Sequence, residues 1–427
     1  MRLQAFPFRL LISSLAIVIS LGLLTYDFTA LNREWTSPPK PFVALQPDIA
    51  TTYKHFVQPS ATTINSLASV QAVTIDPCAN QVIESKIGAP VNGTHVLVTG
   101  GAGFIGSTLT DRLLKLGYKV RIFDNLATGS LRNVPLGNDH LEFVLGDIMN
   151  QKDVYNAMDG IDYVFHLAAM SKVVPSLKSP AMAKFCTEVN ALGTWNVLES
   201  ARLRKVKKVI YAASSTFYGG NPLPNTETDA PDFLTPYAAS KYEGELQMQT
   251  FNNVFNLPTI SLRFFMVYGP RQPSTGAYAI VTGVFAKQAG LGEPLTIEGT
   301  GNHSRDFIHV DDIAEGLIIA QQSSLSGQVI NLGTGVGYSV QQVADLVSKN
   351  QVHVSERKND LNATLADTCK MKNVLGFQPK KDFVVEMSRV AKETMGGSVF
   401  AQTWVDKDVI VAVPWLLPAR YRSFDGW

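Results

Sequence analysis

The sequence predicts an α/β protein: a doubly wound parallel sheet followed by a smaller, mixed C-terminal region. Three observations carry this. Short runs rich in Val and Ile alternate with amphipathic helical stretches from Val96 to Phe265, the pattern of βαβ units. The first run leads straight into a glycine turn, Gly100 to Gly106, and then a helical pattern. Acidic and hydroxyl residues, Asp124, Asp147 and Ser214, close later runs, where an open sheet gathers its functional groups.

The elements follow in order. Val96–Thr99 reads as the first strand. A helix over Thr108–Leu116 shows Leu109, Leu113 and Leu114 on one face and stops at Gly117. Strands follow at Val120–Asp124, Leu141–Leu145 and Tyr163–Leu167, then one long helix over Ala181–Arg204. Val209–Ala213 is a fifth strand, Tyr237–Phe255 a helix, and Thr259–Phe265 a sixth strand. Beyond it the pattern loosens. Helices are expected at Gly276–Gly290, Ile313–Gln322 and Val340–Val347, with short strands at Leu295–Glu298 and Val329–Asn331.

The ends of the chain differ in kind. Arg2 and Arg9 precede an apolar segment, Leu10 to Leu24, that approaches the ~20 residues needed to cross a bilayer. No small-residue cleavage site follows closely, so residues 1–24 read as a signal anchor of a single-pass type II protein facing the secretory-pathway or Golgi lumen. A cleaved signal peptide, leaving the protein in the lumen, is the alternative. Residues 25–92, broken by Pro38, Pro39, Pro41, Pro47, Pro59 and Pro77, read as a stem or linker. The catalytic domain is expected at 93–395, divided near 265 into a cofactor part and a substrate part, with a C-terminal extension at 396–427.

With a net charge of +1 and no basic block, no nucleic-acid partner is indicated. Cys78, Cys186 and Cys369 are far apart and form no metal pattern, so neither a metal site nor a structural disulfide framework is expected.

The glycine turn leaves backbone N–H groups and a helix N-terminus converging on one spot, which suits a pyrophosphate. Asp124 then fits the acid that accepts from ribose hydroxyls, and its charge favours NAD over NADP. Tyr237 and Lys241 are four residues apart, hence on one helix face. An ammonium beside a phenol favours the phenolate. Tyr237 can then take a proton from a substrate hydroxyl, with Ser214 holding the same oxygen.

Gly100-Gly101-Ala102-Gly103-Phe104-Ile105-Gly106, His166-Leu167-Ala168-Ala169, Ser214 and Tyr237…Lys241 together resemble the extended short-chain dehydrogenase/reductase family. Within it the chain is similar to UDP-glucose and UDP-N-acetylglucosamine 4-epimerases. Asp124-Asn125-Leu126-Ala127-Thr128-Gly129, Gly146-Asp147-Ile148, Asn190, Val267-Tyr268-Gly269-Pro270-Arg271-Gln272 and Arg305-Asp306-Phe307 extend the match.

The resemblance implies a Rossmann sheet, a homodimer, and bound NAD that oxidises C4 of a UDP-hexose and returns the hydride to the other face. It implies cofactor contacts at Gly100, Gly103, Phe104, Ile105, Gly106, Asp124, Asn125, Asp147, Ile148, Leu167, Ala168, Ala169, Asn190, Tyr237, Lys241 and Phe264. Substrate contacts are implied at Ser214, Thr216, Tyr237, Met266, Arg305, Arg357, Asp360 and Thr364. Met266 stands where these enzymes usually have Asn, and Arg357-Lys358-Asn359-Asp360 replaces Arg-Pro-Gly-Asp. Thr364 falls where a small residue would leave room at C2 of the sugar for an N-acetyl group.

Dehydratases and decarboxylases of the fold carry an acid just after the catalytic Ser or Thr. Here Ser215 and Thr216 follow Ser214. The expectation is therefore 4-epimerisation. A uronate epimerase, decarboxylase or dehydratase is the second reading, and a non-catalytic NAD-binding scaffold the third.

Overall fold

The computed structural model describes Cys78 and residues 85–91, 93–171, 173–275, 279–356 and 361–395, all within the compact unit Val73–Trp427. The expected anchor at 1–24, most of the stem, Arg357, Asp360 and the extension at 396–427 lie outside the described residues. Among the described residues no helix is long and apolar enough to cross a membrane.

The chain winds as β1 (His95–Thr99), α1 (Phe104–Lys115), β2 (Lys119–Asp124), β3 (Leu141–Leu145), α2 (Gln151–Ala157) and β4 (Tyr163–His166). Then come α3 (Val173–Lys178), α4 (Pro180–Thr187), α5 (Gly193–Leu203), β5 (Lys208–Ser214), α6 (Pro236–Phe255) and β6 (Thr259–Phe264). With β10 (Gln328–Leu332) these strands form a seven-stranded sheet in the order β10-β6-β5-β4-β1-β2-β3. Every pairing in it is parallel. All the C-terminal strand ends therefore share one edge. The strand order reverses between β1 and β4, where Thr99 lies opposite His166.

Alternation along the strands splits the core between two faces. Val96, Val98, Ile122 and Ile210 pack with Leu109 and Leu113 of α1 and with Ile313 and Leu317 of α8 (Val310–Gln322). Leu97, Val164, Val209 and Tyr211 pack with Phe185, Val197, Met248 and Phe251 on the other side.

The second half adds β7 (Met266–Tyr268), α7 (Val281–Gly290), β8 (Leu295–Glu298), β9 (Ser304–His309), β11 (Gly337–Ser339), α9 (Val340–Val347), β12 (Gln351–Val354) and α10 (Phe383–Met395). A three-stranded sheet runs β11-β9-β7, and β12 pairs with β8.

Two expectations need correction. The long helix over Ala181–Arg204 is not regular: a π-turn at Glu188–Leu192 separates α4 from α5. Within it the buried Asn190 side chain is bonded to Met170 and Ser240. The cysteines also do not all stay free. Cys78 and Cys369 form a disulfide with Cα atoms 5.0 Å apart. Sequence separation of 291 residues hid the pairing. The stem's last part is thus attached to the catalytic body: Ser85 N–H donates to Gly376 O at 2.8 Å, and Gly88 N–H to Gln322 Oε1 at 3.0 Å.

Candidate active site

The glycine turn joins β1 to α1 at the point where the strand order reverses. Gly100 has φ of +71°, and Gly106 passes so close to the turn that a Cβ there would lie 2.2 Å from Gly100 O. The N-cap of α1 is Gly103. No side chain caps it, and no acid stands in the first turn. The first N–H groups of α1, on Phe104 and Ile105, therefore suit an anion.

Asp124 ends β2 beside this turn. Its Oδ2 accepts from Ala102 N–H at 3.0 Å and its Oδ1 from Leu126 N–H at 2.8 Å. Each oxygen keeps a lone pair for a ribose hydroxyl. Burial pushes the Asp124 carboxyl up, and the two N–H bonds pull it back. Asp147 and Ile148 follow β3 and are buried, and Asp147 Oδ1 accepts from Met149 N–H at 2.9 Å. Asn125 caps its own turn through Ala127 N–H, at 3.0 Å.

Leu167, Ala168 and Ala169 leave β4 half-buried, and Ala168 N–H donates to Thr99 Oγ1 at 3.2 Å. Phe264 ends β6 opposite Ser214 in the register. The donor set and the uncapped helix end fit a dinucleotide. Asn190 is engaged otherwise. Its Oδ1 accepts from Met170 N–H at 2.8 Å, and its Nδ2 donates to Met170 O at 3.1 Å and Ser240 Oγ at 2.9 Å. It braces the loop after β4.

Ser214 is the last residue of β5. Its Oγ lies 2.9 Å from Thr216 Oγ1 and accepts from Thr216 N–H at 3.2 Å. Helix α6 starts in a fixed place because Thr235 caps it, accepting from Ala238 N–H at 3.1 Å, and Pro236 follows. Tyr237 and Lys241 are thereby set one turn apart and buried. Ser214 is close enough to the Tyr237 phenol to pull its pKa down.

Burial pushes Tyr237 up to about 12, with Ser214 pulling it down, and burial drops Lys241 to about 7. This corrects the expectation that Lys241 brings the phenol toward neutrality. In the protein alone, desolvation disfavours both ions and is the largest cause for each. A positively charged group bound over the pair would reverse that balance.

Three of the substrate candidates lie at the small sheet. Met266 opens β7 and pairs with Phe307, and Arg305 lies in the same sheet on β9, half-buried, with Nη1 donating to Ser304 O at 2.8 Å. Thr364 N–H donates to the same Ser304 O at 3.2 Å, so Thr364 and Arg305 meet at the start of β9.

Residues 96–333 match the NAD dependent epimerase/dehydratase family. The chain belongs to that family. This epimerase/dehydratase is 34% identical to a UDP-glucose 4-epimerase of Mycolicibacterium smegmatis over 299 residues, covering 67% of this chain and 94% of the relative. It is 32% identical over 306 residues to a UDP-glucuronate 4-epimerase of Thermodesulfobacterium geofontis, covering 67% and 91%. A solved UDP-glucose 4-epimerase of Thermotoga maritima with UDP-glucose aligns at a TM-score of 0.67 and 32% identity, covering 71% of this chain and 99% of that one. NAD is the cofactor, as Asp124 led us to expect.

The sequence showed His166 and Asp306 only as motif members and Tyr211 not at all, yet all three are buried at this epimerase/dehydratase's site. His166 bridges Thr99 Oγ1 at 2.8 Å and Thr194 Oγ1 at 3.0 Å, and burial drops it to about 3. Asp306 gathers Thr334, Gly335 and Ala366 through four hydrogen bonds of 2.7–3.1 Å. Tyr211 lies under Lys241, its ring centroid 4.1 Å from Nζ. Only folding brings these partners together, and no local spacing signals them.

Proposed function

We propose that this protein interconverts UDP-hexoses at C4 through a transient 4-keto sugar. The observation that carries the reading is the buried group of Ser214, Tyr237 and Lys241, the last two one helical turn apart, with no carboxylate in the Ser214-Ser215-Thr216 run. Elimination across C5–C6 needs an added acid–base pair; return of the hydride to C4 needs none.

Tyr237 takes the C4 hydroxyl proton and gives it back, Ser214 holds that oxygen, and Lys241 supplies positive charge beside the phenol. NAD, when bound to the α1 N-terminus and Asp124, supplies the hydride acceptor and donor. Arg305 and Arg357 suit the substrate diphosphate, and Asp360 is kept as a substrate contact. Thr216, Met266 and Thr364 bound the sugar. Thr364 is small enough to admit an N-acetyl group.

A uronate substrate is the second reading, favoured by the similarity to a UDP-glucuronate 4-epimerase. Incubation with UDP-glucose, UDP-N-acetylglucosamine and UDP-glucuronate separates the readings. The proposal expects C4 epimers of the neutral sugars, and turnover of UDP-glucuronate alone would sink it.

The proposal includes a homodimer, supported by apolar side chains left exposed on the π-turn, α5 and α6: Leu192, Trp195, Leu246 and Phe255. It also keeps the lumenal, membrane-anchored placement, supported by the basic-then-apolar start of the sequence. The Cys78–Cys369 bond fits an oxidising compartment. Release of the protein by alkaline carbonate from membranes would contradict the anchor.

A further inference from the structure

Tyr211, the fourth residue of β5, is fully buried. Its hydroxyl donates to Lys241 O at 3.3 Å. His166 packs against the ring at 5.5 Å between centroids. Helix α6 makes room for it: a Cβ at Gly244 would lie 2.4 Å from the Tyr211 hydroxyl. Glycine inside a helix is unfavourable, so the space is kept against local preference.

The ring face meets the Lys241 ammonium, 4.1 Å from the centroid. The titratable groups around Lys241 come from four elements: Tyr237 and Glu245 on α6, Cys186 on α4, His166 on β4 and Tyr211 on β5. None brings an uncommitted negative charge. Both Glu245 oxygens are held by Arg263, at 2.9 and 2.7 Å. Burial drops His166 to about 3 and raises the Cys186 thiol, leaving both neutral. The Lys241 ammonium is desolvated, and a desolvated cation gains most from an aromatic face.

We propose that Tyr211 is a positioning residue whose ring face keeps Lys241 charged in the turn it shares with Tyr237, and so sets the pH at which Tyr237 ionises. This rests on the reading of Tyr237 as the group that takes the substrate proton.

The ring and the hydroxyl are separable. Tyr211→Phe keeps the face and loses the hydroxyl bond to Lys241 O; Tyr211→Leu loses the face. Without the face Lys241 gives up its proton at lower pH. Less positive charge then stands beside Tyr237, and the phenol ionises at higher pH. Two readouts follow this in the NAD-loaded protein: the pH profile of kcat, and the phenolate absorbance that disappears on Tyr237→Phe.

The expected result is a Phe variant within about twofold of wild type and a Leu variant whose acidic limb moves up by about one pH unit, with kcat near neutrality down about tenfold. Superposition of the Leu and wild-type profiles would overturn the proposal, as would Phe and Leu variants equally impaired in both readouts. Tyr211→Met, which fills the space without a π face, replaces Leu if that variant melts early or loses NAD. A wild type that turns over no UDP-sugar would defeat the proposed function, while the absorbance titration would still decide the role of Tyr211.

Discussion

On the proposed mechanism, replacing Tyr237 by a residue of the same shape removes the group that takes the substrate proton. Tyr237→Phe should leave NAD content and melting unchanged and lower kcat by about a thousandfold, within the usual range for a general acid–base group. Steady-state kinetics on the NAD-loaded variant check this, and a loss under tenfold would move the proton to another group. The Tyr237 and Lys241 pair was legible in the sequence because one helical turn fixes their relation, and Ser214 because it closes a strand. Asp124 was legible for the same reason, as the residue that closes β2. Tyr211 and Cys186 were not. They reach Lys241 from β5 and α4, across contacts that no spacing along the chain encodes. The depression of Tyr237 was misjudged because the charge of a neighbour can be read from sequence, whereas the burial that opposes it cannot.

The strand-and-helix alternation was readable because both faces of the sheet are buried, which gives unbroken apolar runs. The π-turn between α4 and α5 escaped because Asn190 looks like any helical residue until its partners, Met170 and Ser240, are seen. A second buried knot at this scale is Thr99–His166–Thr194, which ties β1, β4 and α5 together. His166 titrates at 6.5 in an ordinary setting and at about 3 here. Between those values the unfolded chain binds the proton and the folded one does not. This contribution to stability is thus complete above pH 6.5 and is lost as the pH falls toward about 3. Melting temperature measured against pH should fall over that window, and more gently in a His166→Asn variant. Parallel slopes in the two proteins would show that His166 does not carry the effect.

For the molecule as a whole, the Cys78–Cys369 bond joins a segment before β1 to one that follows the substrate-side sheet. Closing so long a loop restricts the unfolded chain, and such bonds contribute about 2–5 kcal/mol. Reduction, or Cys78→Ala with Cys369→Ala, should lower the melting temperature. An unchanged melting temperature would mean that the hydrogen bonds of Ser85 and Gly88 suffice to hold the segment. The exposed Leu192, Trp195, Leu246 and Phe255 predict a dimer by light scattering, and Trp195→Glu should give monomers. A wild type already monomeric would contradict that.

The central claim is that the hydride removed from C4 is the one returned to it. UDP-glucose carrying deuterium at C4 tests this most directly, with the product examined by NMR. Epimerisation by this route yields UDP-galactose that keeps the deuterium at C4. Loss of the label to solvent, or NAD-loaded protein that forms no epimer, would contradict it.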